Sequence, residues 1–380
     1  MNKNAEKSLL PNGLRDALPP EAGHEIDLAD KLVAGFRARG YERADPPLVE
    51  FEDNLFVGIG QAMSPHTFRL MDPVSQRMMG VRSDMTVPIA RIATTRLANA
   101  PRPLRLAYAG PVLRVKGTQL RPERQFLQAG AELIGSDLPA ADAEVITLAV
   151  DTLSSLGIEA LSVDISLPTV VPAVCDAFEL GQGTRREVRS AIDRKDANAL
   201  GRYAGPAAET LLALLKASGP AEHALGQLSG LTLPAAASGE RARAEAVLGL
   251  MAKSGSSASL TIDPVEYRGF EYQTGLSFTL FAKGVRGELG RGGRYAAGGG
   301  HEPATGFSLF LDSIARAAPD PVPDDRVFLP FGLPPDVGSR LRAEGHITVA
   351  ALAEDKDTAA EARRLGCTHI YVDGAIKPLD

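Results

Sequence analysis

Three short stretches hold the side chains best suited to chemistry. "GVRSDMTVP" carries Arg82, Asp84 and Thr86; Arg114 precedes "QFLQAGAE", which carries Gln128 and Glu132; "EYRGFEYQTG" carries Arg268, Glu271 and Tyr272. On an extended strand successive side chains alternate between faces. Gln128, Gly130 and Glu132 therefore share a face, as do Arg268 and Tyr272. A free amino acid needs anionic acceptors for its ammonium and a cation for its carboxylate. Asp84, Glu132 and Glu271 are suited to the first, and Arg114 or Arg268 to the second, in bidentate form. Gln128 and Tyr272 are then placed to read a polar side chain. The same residues also make ordinary ion pairs within a sheet, and spacing alone favours that plainer reading.

Other stretches are less specific. "GELGRGGRYAAGGG" (287–300) is dense in glycine, but no GxxxxGK pattern leads into a helix, which excludes a P-loop. It reads as a flexible turn that lets backbone approach a ligand. The basic run Arg185, Arg189, Arg194 and Lys195 reads as a solvated helix face. "TGFSLFLDSIAR" (305–316) reads as a strand running into a helix. Many ATP sites place a cation at such a junction, and here the positions that would carry it are Phe310 and Ser313. The six histidines are scattered without metal-ligand spacing, so no zinc is expected. Cys175 and Cys367 lie far apart, which argues against a disulfide framework and fits a reducing cytoplasm.

The elements that must position these residues follow from periodicity. Residues 1–20 read as an extended arm. Ile26, Ala29, Val33 and Phe36 recur at helical spacing up to a stop at Gly40. "TFRLMDPVSQRMMGV" reads as a hairpin turning at Asp72-Pro73, with a helix from about Thr86. "RPLRLAYAGPVLRV" reads as a strand interrupted at Gly110-Pro111, with "ERQFLQAGAELIGS" as its antiparallel return. A helix starts after Pro139 and is followed by the strand "SVDISL". Residues from about 168 to 258 read as a helical insertion, rich in Ala, Leu and Arg. "LTIDPVEYRGFEYQTGLSFTLFA" reads as a long hairpin. After the linker "PDPVPDD", about 55 residues alternate strand and helix. Helices followed by strands on short loops indicate an α+β fold built on an antiparallel sheet. The expected division is a core over 1–318 and a small α/β domain over 319–380.

Composition sets limits. The chain has 380 residues, 44% of them hydrophobic, which suffices for two or three domains. A formal net charge of −6, no tryptophan and few other aromatics argue against a surface dedicated to nucleic acid. No apolar run approaches a membrane span, and the first residues lack a signal-peptide core.

Five co-linear segments over roughly residues 8–316 resemble histidyl-tRNA synthetases and their class II aminoacyl-tRNA synthetase fold. "GPVLRVKGTQLRPERQFLQAGAELIG" resembles motif 2, and "VRSDMTVPIAR" the "RPEGT" segment. "YRGFEYQTG" resembles the histidine motif "RGLDYYTG", and "GGRYAAG" resembles "GGRYDGL". "ADPPLVE", with Pro46 and Pro47, resembles motif 1, whose proline lies at that family's dimer interface. The resemblance implies a histidine-binding set of Asp84, Thr86, Arg114, Gln128, Glu132, Arg268, Glu271 and Tyr272. It carries over less well where ATP would bind. "LRVK" puts Lys116 where the synthetases have Glu, and "GFSLFLDS" puts Phe310, Asp312 and Ser313 at the Gly, Glu and Arg of motif 3. A missing cation at a triphosphate costs several kcal/mol in the transition state. The tail is also shorter than a synthetase anticodon-binding domain.

A histidine pocket without activation chemistry resembles the regulatory-subunit family of ATP phosphoribosyltransferase. That resemblance implies no catalysis of its own and no cofactor. It implies a short-form catalytic subunit as partner, feedback by L-histidine, and homodimers within a hetero-octamer. A divergent histidyl-tRNA synthetase, or a histidine-binding paralogue serving another partner, remains the alternative.

Overall fold

The computed structural model describes residues 9–117, 121–255, 257–266, 273–299, 302–321 and 323–379. Its largest sheet has nine strands, labelled here in chain order. They are β1 (Glu42–Arg43), β2 (Leu104–Leu113), β3 (Gln125–Ile134), β4 (Leu161–Ser166), β5 (Gly219–Pro220), β6 (Ser259–Asp263), β7 (Gln273–Ala282), β8 (Gly290–Ala297) and β9 (Glu302–Phe310). Their order across the sheet is β1-β2-β3-β9-β8-β7-β4-β6-β5. The pairs are antiparallel except β1/β2 and β4/β6.

Alternation along β3 fixes which face does what. Ala129, Ala131 and Leu133 enter a large apolar core with Leu32 and Phe36 of the helix Glu21–Arg37 and Ile146 and Ala149 of the helix Pro139–Ser155. Phe36 meets Phe307 of β9 edge-on, with ring centroids 5.4 Å apart. Burying a side chain of that size stabilises the fold by about 2–3 kcal/mol. Phe126, Gln128, Gly130, Glu132 and Ile134 face the other way. There the helix Thr86–Thr95 covers the apolar end of the strand with Ile89 and Ala93.

Register aligns the polar positions of this second face. Tyr108 stands opposite Gly130, Gly130 opposite Ser308, and Ser308 opposite Arg291. One row along, Glu132 stands opposite Gly306, and Gly306 opposite Gly293. The glycines leave room that the neighbouring side chains use. A Cβ on Gly130 would lie 2.4 Å from the Tyr108 hydroxyl, and one on Gly306 only 1.8 Å from Glu132 Oε2.

Three expectations are corrected. The segments 259–263 and 273–282 are not a hairpin: β4 lies between β6 and β7. A parallel pair such as β4/β6 needs a long crossover, and the helices between them supply it. β2 is not interrupted at Gly110-Pro111; its ladder with β3 continues through both. On the other side β1 pairs only with Leu106 and Ala107, so the missing N–H of Pro111 breaks no bond there. Most of the glycine-dense segment is not a turn but strand β8, with a turn at Gly298 and Gly299. Its glycines admit close neighbours, since a Cβ on Gly292 would lie 2.3 Å from the Gly306 carbonyl and 2.5 Å from the Phe278 ring.

Six helices lie between β4 and β6, from Val170–Ala177 to Ala235–Ser254. Val188, Leu200, Leu211 and Val247 join the large core. A small sheet of Val49–Phe51, Arg69–Met71 and Met78–Val81 precedes the helix Thr86–Thr95. The chain divides into two compact units, Met1–Pro319 and Asp320–Asp380. The second unit pairs Arg326–Leu329 in parallel with Ile347–Ala350 and His369–Val372, with Ala375–Pro378 antiparallel at one edge. Its helices Pro335–Ala343 and Thr358–Arg364 make the connections, the second capped by Asp357, which accepts a bond from Ala360 N at 3.0 Å. Among the described residues no helix is long and apolar enough to cross a membrane.

Candidate functional site

Four of the expected residues meet on the second face of the sheet. Asp84 sits in the turn before the helix Thr86–Thr95. Its Oδ1 accepts the Thr86 N–H at 2.8 Å, a local bond that favours a helix start. Its Oδ2 accepts from Gln128 Nε2 at 3.2 Å, while Gln128 Oε1 accepts the Met85 N–H at 2.9 Å. The turn is thus clamped to β3 by a fully buried amide.

Glu132 lies beside this clamp, 1% exposed. Its Oε1 accepts from the Tyr108 hydroxyl at 3.1 Å, and the hydroxyls of Tyr295 and Thr86 also favour the charged carboxylate. The Tyr108 hydroxyl lies 2.9 Å from Ser308 Oγ and 3.5 Å from Thr86 Oγ1. Burial pushes the Glu132 carboxyl up to about 8, against the pull of these hydroxyls, and nearby Asp84 adds to the rise. Burial likewise drives the Tyr108 phenol well above its usual range. A small cavity is lined by Asp84, Thr86, Glu132, Gln273 and Arg291. It therefore opens onto two acids, one of them desolvated.

Arg114 reaches the same cluster from an adjoining cavity. Its Nη2 lies 3.7 Å from Asp84 Oδ2, its Nε donates to the Ser83 carbonyl at 3.1 Å, and its guanidinium lies over the Phe126 ring. Arg82 is structural: buried, it donates to the carbonyls of Pro111 and Pro46. Arg268, Glu271 and Tyr272 lie outside the described residues.

The junction at Phe310 and Ser313 holds a cation after all, supplied from elsewhere in the chain. Arg121, 8% exposed, lies with its guanidinium 3.7 Å from the Phe310 ring centroid and 5.2 Å from that of Phe126. It donates to Ser313 Oγ at 3.1 Å and to the Glu288 carbonyl at 3.2 Å, with Asp312 at 3.3 Å from its Nε. It borders a cavity of about 530 Å³ with Lys116, Glu288, Arg291 and Ser313. Arg121→Ala is expected to destabilise the chain by about 2–3 kcal/mol, because it strands the buried Asp312 charge. Arg316, 3.8 Å from Asp312, softens that cost. Urea unfolding checks the value, and Arg121→Ala/Asp312→Asn should recover part of it.

Two further sequence features resolve. Arg294, the arginine of "GGRY", makes a buried ion pair with Asp142 at 3.1 Å and donates to the Ser136 carbonyl, which pins β8 to the start of the helix Pro139–Ser155. The basic run is not simply a solvated face. Arg185 donates to Asp176 and to the Leu180 carbonyl, and Lys195 pairs with Asp263. Arg185 and Arg189 line a cavity of about 520 Å³ with Cys175 and Gln273. The tyrosines Tyr108 and Tyr295 and the arginines Arg121 and Arg291 belong to the site region but are absent from the expected set. Tyr108 is two residues before Gly110 on the strand facing Gln128 and Glu132, so pairing register was the signal for it. Arg121 lies outside any strand, so the sequence carries no comparable signal for its placement.

The family model described as histidyl-tRNA synthetase matches residues 13–314. The ATP phosphoribosyltransferase regulatory subunit of Rhodospirillum centenum is 54% identical over 372 residues, 98% of this chain and 96% of that one. The protein of the same name from Paramagnetospirillum magneticum is 52% identical, covering 99% of this chain and all of its own length. Among solved structures, an ATP phosphoribosyltransferase regulatory subunit/histidyl-tRNA synthetase from Bacillus halodurans superposes with a TM-score of 0.80 at 24% identity, over 94% of this chain and 96% of that one. A histidyl-tRNA synthetase from Nostoc sp. gives 0.80 at 19% identity, over 98% and 95%. At such identities the structural likeness speaks for the class II fold alone.

Proposed function

This chain belongs to the ATP phosphoribosyltransferase regulatory subunit family, and from that membership we propose that it serves histidine biosynthesis without catalysis of its own. In this reading it joins a short-form catalytic subunit in the cytoplasm, raises its activity and makes it sensitive to histidine. The carrying observation is a contrast between two neighbouring places. Asp84, Thr86 and Glu132 line a small acidic cavity, with Gln128 bonded to Asp84 beside it. At Phe310 and Ser313, Arg121 lies against the ring and the hydroxyl, at the edge of a larger cavity. In this reading amino-acid binding is kept and nucleotide activation is lost.

Histidine would occupy that pocket, its ammonium toward Glu132 and Asp84 and its imidazole read by polar groups, with Arg114, Arg268, Glu271 and Tyr272 contributing. Feedback then requires that histidine bind one state of the complex more tightly than another. Homodimers through the region of Pro46 and Pro47, assembled with the catalytic chains into a hetero-octamer, belong to the same reading.

The test is phosphoribosyltransferase activity of a short-form catalytic subunit, with and without this chain, across a histidine titration. Complex mass is followed by light scattering. Activation on mixing, inhibition by histidine only or mainly in the complex, and a dimer when the chain is alone are the expected results. No complex and no rate change would defeat the proposal. Histidine-dependent ATP–pyrophosphate exchange by the chain alone would favour a divergent synthetase.

A further inference from the structure

Arg291 stands apart from the other guanidiniums around the pocket. Arg114 is held by Asp84 and Ser83, Arg121 by Asp312 and Ser313, and Arg294 by Asp142. Arg291 makes no hydrogen bond or ion pair with any described residue; its guanidinium only approaches the Phe310 ring, at 5.9 Å from the centroid. Nearby Arg121 repels it. A half-buried cation without a counter-charge costs the fold free energy, and a bound anion would remove that cost.

Its position says which anion. Arg291 projects from β8 on the face that carries Glu132 on β3, with only β9 between, a separation of about 10 Å at usual strand spacing. It lines the same small cavity as Asp84, Thr86 and Glu132. Yet no ion pair within 4.0 Å joins Arg291 to either acid. Two acids at one end of a cavity and a guanidinium unpaired among the described residues at the other are complementary to a zwitterion. Of the two cations first expected to take a carboxylate here, Arg114 is already engaged by Asp84 and Arg268 lies outside the described residues.

We propose that Arg291 receives the α-carboxylate of the bound amino acid, so that the pocket selects histidine over imidazole amines lacking that group. This deepens the amino-acid-pocket reading and rests on it. Arg291 is then a specificity-determining residue, and its guanidinium also borders the cavity next to Lys116 and Ser313.

The experiment is calorimetry on the full-length chain with L-histidine and with histamine, which keeps the imidazole and the amine but has no carboxylate. Arg291→Gln is expected to weaken histidine 10- to 100-fold, the usual worth of a charge-assisted, bidentate contact. Histamine affinity should stay unchanged, and Arg291→Lys should restore part of the histidine affinity. The unliganded melting temperature of Arg291→Gln should not fall, and should rise as the uncompensated charge is removed. Equal losses for both ligands, or undiminished histidine binding by Arg291→Gln, would overturn the proposal. If histamine binds neither form measurably, the loss for histidine with partial recovery in Arg291→Lys decides it. Wild-type chain that binds no histidine would instead overturn the underlying pocket reading, and the proposal with it.

Discussion

Gly306→Ala is expected to cost about 3–4 kcal/mol of stability and to abolish histidine binding in whatever protein still folds. The added Cβ would lie 1.8 Å from Glu132 Oε2 and 2.6 Å from the Ala131 carbonyl. Overpacking a core usually costs about 1–3 kcal/mol. Here the neighbours are a backbone oxygen that the sheet holds in register and a buried carboxylate already bonded to Tyr108. Glu132 could yield only by giving up that bond. The effect comes from the side chain alone, since a strand imposes no left-handed conformation at this position. Urea unfolding gives the stability, and calorimetry on the folded fraction gives the binding. A variant with wild-type stability and wild-type affinity would show that the Glu132 carboxylate does not sit against Gly306.

Glu132→Gln is expected to act in two opposite directions. Binding of histidine should weaken by about 100-fold or more, because a buried amide cannot stabilise an ammonium as a carboxylate does. Stability of the unliganded chain at alkaline pH should rise. Glu132 ionises near 4.5 when exposed and at about 8 in the fold. Between these values the folded state keeps a proton that the unfolded state has released. Stability therefore declines as pH rises through that window and is fully present only below it. The difference of 8 − 4.5 = 3.5 units sets an upper bound of about 5 kcal/mol. Glutamine removes the slope. Melting temperatures of wild type and variant should converge near pH 5 and separate in favour of the variant by pH 8.5. Parallel pH profiles would contradict the raised carboxyl. The same group predicts that histidine binding at pH 7 expels close to one proton, because the ammonium draws Glu132 into its charged form. Calorimetry in buffers of different ionisation enthalpy would register that release.

The face of the site was legible where strand alternation decides it. Gln128 and Glu132 do share a side of β3, and Asp84 and Thr86 meet them because the helix beginning at Thr86 covers that side. What escaped the sequence were relations that no local pattern encodes. β4 lies between β6 and β7 because the intervening helices form a crossover, and the run of residues alone reads as a simple hairpin. Glycines at 290, 292 and 293 look like a loop until neighbouring strands press on them. That Ser313 itself carries no cation was visible, but not the guanidinium that Arg121 brings to the same place, since no local pattern links Arg121 to a residue 192 positions later.

That reach has a consequence for how such a chain can change. Because Arg121 occupies the space beside Phe310 and balances Asp312, Ser313→Arg on its own places two guanidiniums together, while losing Arg121 on its own strands a buried acid. Each first step is unfavourable before the second has occurred. The filled position therefore works as a ratchet: a lineage that acquires it drifts on as a binder, and the way back requires paired substitutions.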